Sequence, residues 1–149
     1  MIKKILVPTD GSKTAVKSVG YAIDLAKQTG STLILLSIID KSNFLTKSVP
    51  AAATKLNIIE TIEDYLRQTA EAYLGEAEGL CKKNGVESKK VIRSGHPVEE
   101  ILKEAEKSKV DLIVMGSHGK SALKAAVLGS ITFGIIHKDT KIPVLVVRR

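Results

Sequence analysis

Leu33-Ile34-Leu35-Leu36-Ser37-Ile38-Ile39 is apolar at every position but Ser37. A strand with one wet face alternates polar and apolar residues. This run does not, so both of its faces must be covered, as in the centre of a parallel sheet. The rest of the chain supplies companions of the same kind. Ile5-Leu6-Val7, the run from Asp111 to Met115 and Val144-Leu145-Val146-Val147 are short apolar strands. The run from Val86 to Arg93 alternates charge with Val and Ile, which suits an edge strand.

Segments of helical period separate these runs. Ser12 is placed to cap a helix from Lys13 to Thr29, whose stripe is Ala15, Val19, Ala22, Ile23 and Ala26, with Gly30 closing it. A second helix is expected from Ile58 to about Asn84, with Ile62, Leu66, Ala70, Tyr73, Ala77, Leu80 and Cys81 on its apolar side and Gly85 as its stop. Gly75 and Gly79 inside it mark either close packing or a bend. Pro97 opens a third helix that buries Val98, Ile101, Leu102 and Ala105. A short fourth helix is expected around Ile131 to His137. From Asp40 to about Asn57 the composition reads as a long loop. The alternation βαβαβαβαβ predicts an α/β fold, a parallel sheet with helices on both faces, in one domain spanning 1–149.

Charge and composition narrow the partners. A net charge of +7 admits nucleic acid, acidic membrane or anionic small ligands. Lys and Arg are scattered, however, and aromatic residues make up 3% with no Trp, so stacking platforms for single strands are scarce. A solvated basic surface fits better, with no nucleic acid and no membrane as partners. No apolar run reaches the roughly 18 residues of a membrane span. The apolar start ends at once in Pro8-Thr9-Asp10, unlike a secretory signal. The single cysteine, Cys81, makes no internal disulfide and suits a reducing, cytoplasmic setting. On a helix's apolar side it reads as a small core residue.

Two loops at carboxyl ends of strands carry turn chemistry. One is Pro8-Thr9-Asp10-Gly11-Ser12; the other runs from Gly116 through Ser117, His118 and Gly119 to Gly129 and Ser130. In parallel sheets ligands bind beyond strand carboxyl ends, where the strand order reverses. Glycines let backbone approach a ligand closely, and the helix after Gly129 offers unpaired N–H groups and about half a unit of positive charge. This suits phosphate. Lys120 and Lys124 either neutralise such a ligand or stay solvated, and the apolar segment 123–128 either folds over it or packs on the protein. Asp10 reads as a ligand contact or as a turn carboxylate, and His118 as a phosphate contact or an exposed side chain. His96 and His137 read as structural or surface residues. The three histidines and one cysteine make no zinc spacing, so no metal site is expected. No nucleophile elbow, clear carboxylate pair or activated cysteine is present, so no catalytic residue is assigned. Gly-x4-Gly-Lys-Ser/Thr is also absent.

Gly116-x2-Gly119-x9-Gly129-Ser130, the opening Ile5-Leu6-Val7-Pro8-Thr9-Asp10-Gly11-Ser12, Asp40 after Ile38 and Ile39, and Gly95-x-Pro97 together resemble the ATP-binding branch of the universal stress protein family, over essentially the whole chain. The resemblance implies a Rossmann-like five-stranded parallel sheet of order 3-2-1-4-5. It implies ATP with Mg²⁺: Gly116, Gly119, Gly129 and Ser130 on phosphates and ribose, and Pro8, Thr9 and Asp10 on the nucleoside side. Ile38 would meet adenine with its backbone, and Met115, His118 and Ile131 would be close neighbours. It also implies a homodimer through Val144–Val147, although that run alone equally suits an internal strand. The expected function is a cytoplasmic stress-response or regulatory protein with a protein partner, in which ATP acts as a conformational ligand with slow or no hydrolysis. A weak ATPase or phosphotransfer enzyme and a nucleotide-independent dimeric interaction module are the alternatives.

Overall fold

The structure, a computed structural model, describes residues 1–41, 52–119 and 128–149. Its elements follow in the order β1 (Lys4–Pro8), α1 (Lys13–Thr29), β2 (Thr32–Ile39), α2 (Ala52–Lys83), β3 (Ser88–Ser94), α3 (Pro97–Lys107), β4 (Leu112–Gly116), α4 (Ser130–His137) and β5 (Val144–Val147). All strand pairs are parallel, and the sheet order is β3-β2-β1-β4-β5. This is the Rossmann-like architecture, with its strand order, that the resemblance implies.

Alternation along buried strands builds two cores, one on each face. Ile5 and Val7 of β1, with Leu33 and Leu35 of β2, meet Val19, Ala22 and Ile23 of α1 and Leu74 and Ala77 of α2. Leu6, Ile34 and Leu36 point the other way, to Ile101 and Ala105 of α3 and Ile135 of α4. β2 is thus covered on both sides, as its composition requires. The sheet's two borders differ in character. β3 shows exposed Lys89 and Lys90 along one border, whereas β5 carries half-exposed apolar residues with Leu145 outermost. Val144–Val147 is therefore an edge strand, not an internal one.

Helix α2 departs from expectation. It begins at Ala52, so 52–57 are helical and not loop; the rest of the expected loop, 42–51, lies outside the described residues. The segment Ala52-Ala53-Thr54-Lys55-Leu56 contains strong helix formers and no breaker, and Pro50 precedes it, where helices tolerate proline. The buried stripe is Ala70, Leu74, Ala77 and Cys81, at i, i+4, i+7 and i+11. Leu80, expected on that stripe, stands at its flank and is 40% exposed, and Leu74 takes the central place. Gly75 and Gly79 sit on the exposed face with nothing near the position of a Cβ, which removes close packing as their reason. The strand after α2 starts at Ser88, two residues later than expected, because Gly85 (φ 69°) turns the chain and Val86 is buried beneath the helix end.

Candidate functional site

β1 lies between β2 and β4, so the chain leaves β1 toward one border and returns through β4 toward the other. The loops after β1 and β4 part at this point and leave a cleft of about 370 Å³. In parallel sheets this is where ligands bind.

The loop after β1 is locked by its own polar groups. Thr9 N–H donates to Leu36 O at 2.8 Å, which ties it to β2. Asp10 Oδ1 accepts from Ser12 N–H at 2.9 Å, an Asx turn. Ser12 Oγ accepts from Ala15 N–H at 3.1 Å and caps α1. The second carboxylate oxygen of Asp10 faces Gly119 across the cleft: a Cβ at Gly119 would stand 2.7 Å from Asp10 Oδ2. Asp10 therefore serves both the turn and the cleft.

The loop after β4 is pinched at its base. Ser117 N–H donates to Val147 O at 2.8 Å, and Gly129 N–H donates to Ser117 O at 2.7 Å. Thr132 Oγ1 donates to Gly116 O at 2.8 Å. A Cβ at Gly129 would stand 3.2 Å from both Ser117 O and His118 Cα, a tight contact that would make this backbone give by a few tenths of an ångström, so glycine eases the close approach of α4 to the exit of β4. Gly129 is also the N-cap of α4 and gives no side-chain cap. Helix N-terminal N–H groups of this kind, with the helix dipole behind them, suit an anion.

All eleven residues assigned from sequence line this one cleft: Pro8, Thr9 and Asp10 from the first loop, Ile38 from β2, Met115 and Gly116 from β4, and His118, Gly119, Gly129, Ser130 and Ile131 from the glycine loop and α4. His118 is 7% exposed, with Nδ1 2.8 Å from Ser117 Oγ, so the reading of it as an exposed histidine is corrected. Lys120, Lys124 and 123–127 lie outside the described residues. His96 and His137 are exposed and are not among the lining residues of the cleft; His96 is the N-cap residue of α3, next to the lining Pro97, and His137 is stacked on Phe133. Cys81 is fully buried, and burial pushes its thiol up.

Sequence reasoning missed most of the apolar wall. Leu36, Leu66, Pro97 and Ile101 also line the cleft. Leu66 and Ile101 lie on the inward stripes of α2 and α3, where periodicity alone makes a cleft residue look like a core residue. The cleft is thus two-sided in chemistry, with an apolar end and an N–H-rich, glycine-lined end. Among the described residues no group of three or more His, Cys, Asp or Glu could hold a metal. A divalent cation fits this donor set only as company for a polyanion, with Asp10 at its side.

An ion-pair network holds α3, and with it Pro97 and Ile101, against β3. Arg93 Nε donates to Glu100 Oε1 at 3.0 Å, Arg93 Nη1 to Glu104 Oε1 at 3.2 Å, and Lys103 Nζ to Glu100 Oε2 at 3.2 Å. Glu104 also accepts from Ser108 Oγ. The Arg93 guanidinium, and then the Lys103 ammonium, hold the Glu100 carboxyl below the usual carboxylate range. A carboxyl depressed in the folded state stabilises above its unfolded value and loses that contribution as pH falls through its folded value. Stability is therefore expected to fall in acid, starting near the ordinary glutamate value of about 4.3. Urea midpoints measured across that window should show a shallower acid limb for Glu100→Gln than for the unaltered protein. Identical limbs would contradict the assignment.

Comparison with known proteins agrees with this architecture. The family model described as "Universal stress protein family" matches residues 1–148. The chain is 36% identical over 157 residues to Universal stress protein MJ0577 of Methanocaldococcus jannaschii, covering 100% of this chain and 96% of that protein. It is 34% identical over 149 residues to Universal stress protein MJ0531 of the same organism, covering 100% of this chain and 84% of that protein. The solved structure of MJ0577 matches with a TM-score of 0.86 at 35% identity, over 100% of this chain and 97% of that one. A universal stress protein solved in complex with cAMP shares the fold at a TM-score of 0.68 and 24% identity, over 99% of this chain and 97% of that one.

Proposed function

The chain belongs to the universal stress protein family, and from that premise we propose that its cleft binds ATP with Mg²⁺ as a conformational ligand. The observation that carries this reading is the pinched glycine loop. Gly116, Gly119 and Gly129 bring backbone and the uncapped first turn of α4 to one end of the cleft, where phosphates would sit. The apolar end, with Ile38, Leu66, Pro97 and Ile101, suits a flat base. Asp10 faces the phosphate end, and a carboxylate beside a polyphosphate calls for a cation between them. Mg²⁺ carried in by the nucleotide meets that need.

Among the described cleft residues, Asp10 Oδ1 is engaged in the turn and His118 Nδ1 with Ser117, which supports a site built to hold nucleotide more than to turn it over. On this reading turnover is slow or absent, and ATP reports through conformation or partner binding in a cytoplasmic stress-response or regulatory role. The apolar border strand Val144–Val147, with exposed Leu145, supports homodimer formation through that edge. The deciding measurement is calorimetric titration of nucleotide-stripped protein with ATP and Mg²⁺. Micromolar affinity, about −8 kcal/mol, is the expected result. No heat at two temperatures would overturn the reading in favour of a nucleotide-independent interaction module.

A further inference from the structure

We infer that Arg93 is a positioning residue for the base of the nucleotide: with Glu100 and Glu104 it fixes the spacing between two walls of the cleft's apolar end. This rests on the nucleotide reading above and adds to it three residues, none of which lines the cleft. One wall is Ile38 of β2, and the other is Pro97 and Ile101 of α3. The three charged residues join these walls from behind. Arg93 is the register partner of Ile38 on the neighbouring parallel strand, so both side chains leave the same face of the sheet. On that face Arg93 Nε donates to Glu100 Oε1 at 3.0 Å and Nη1 to Glu104 Oε1 at 3.2 Å.

Glu100 and Glu104 stand one helical turn apart, so a planar guanidinium that grips both fixes α3 in rotation as well as in height. Ile101 follows Glu100 and Pro97 stands three residues before it. A rotation of the helix about its axis therefore swings both wall residues relative to Ile38. A second hold comes from Gly95. Its N–H donates to Ile39 O at 3.0 Å, next to Ile38. The Glu100 stem lies so near it that a Cβ at Gly95 would stand 2.9 Å from Glu100 Cγ. Glu100 and Glu104 are 8% and 4% exposed, and buried carboxylates are costly away from their cation, so the clamp has one favoured arrangement. The spacing it sets matters to a flat ring. A gap of about 0.5–1 Å already forfeits about a quarter to a half of the dispersion attraction across it.

Two measurements on the full-length chain, both well below its melting temperature, test this: calorimetry with ATP and Mg²⁺, and methyl NMR of the isoleucines during the same titration. In the unaltered protein the ring current of the base should shift the δ1-methyl signals of Ile38 and Ile101, each identified by its loss in the Ile→Val variant. Arg93→Met should weaken ATP about tenfold and shrink the Ile101 shift more than the Ile38 shift. That change leaves two buried carboxylates without their cation, so Arg93→Lys is made beside it. An ammonium keeps the charge but not the fork, and a folded protein with a smaller loss of the same kind is expected. Full affinity in either folded variant, or weaker binding with both methyl shifts intact, would assign the network a purely structural role and overturn the inference. ATP heat with neither methyl moved in the unaltered protein would put the base elsewhere and sink the Arg93 role alone. Absence of ATP heat in the unaltered protein sinks the nucleotide reading and this inference with it.

Discussion

Gly129→Leu is expected to abolish ATP binding in a protein that still melts cooperatively. A Cβ at this position meets Ser117 O and His118 Cα at 3.2 Å, and both are backbone. A flexible side chain could swing away; these backbone atoms must give by a few tenths of an ångström for the Cβ alone, and the rest of a leucine side chain asks for more. The first casualty is the 2.7 Å bond from Gly129 N–H to Ser117 O. Once it opens, the first turn of α4 moves off the exit of β4, and the N–H groups proposed to hold phosphate lose their aim. The sheet pairings lie outside this disturbance, so folding survives. Gly129→Ala should show the graded version, weakening ATP by about tenfold to a hundredfold, or about 1.4 to 2.7 kcal/mol. Calorimetry beside a melting curve separates the two effects. Retained ATP affinity in Gly129→Leu would remove the pinched loop from the site.

Gly11→Ala carries the largest expected loss of stability. Gly11 has φ +77°, and the ring of Tyr73 from α2 occupies the place where a Cβ would stand. The left-handed backbone costs a non-glycine residue roughly 1–3 kcal/mol, and displacing the ring adds an overpacking cost of similar size. A total of about 2–4 kcal/mol is expected, read from chemical denaturation. The two contributions separate in the double variant Gly11→Ala/Tyr73→Ala. Removing the ring abolishes the overlap and leaves the backbone term, so the pair should be less unstable than the sum of the single changes. Strict additivity would show that ring and loop do not touch in solution.

The fold was legible because its signals are local. β2 declares two-sided burial in its own composition, and Ser12 and Gly30 mark the ends of α1 within a few residues of chain. The glycine loop was legible because spacing is preserved along the sequence, and the eleven residues assigned from sequence, its own among them, line one cleft. What sequence did not reveal depends on partners brought from afar. The pairing of Arg93 with Glu100 and Glu104 exists only once β3 and α3 are packed together. Leu66 and Ile101 obey the core period and line the cleft all the same. Tyr73 looked like one more residue of a buried stripe, yet it stands against Gly11. The early start of α2 turned on helix propensity, a weak local preference that a polar composition outweighed in the reading from sequence.

The unlike borders of the sheet set a limit on assembly. A lysine-fringed strand repels a neighbouring strand, and an apolar one accepts it. With Lys89 and Lys90 along β3 and Leu145 exposed on β5, each copy has a single receptive border. When two copies join through the same border on each, both receptive edges are consumed and none remains for a third. Under the proposed pairing through β5, growth would stop at a pair: the edge that invited association would also terminate it, and a continuous sheet running from molecule to molecule would have no second end from which to extend.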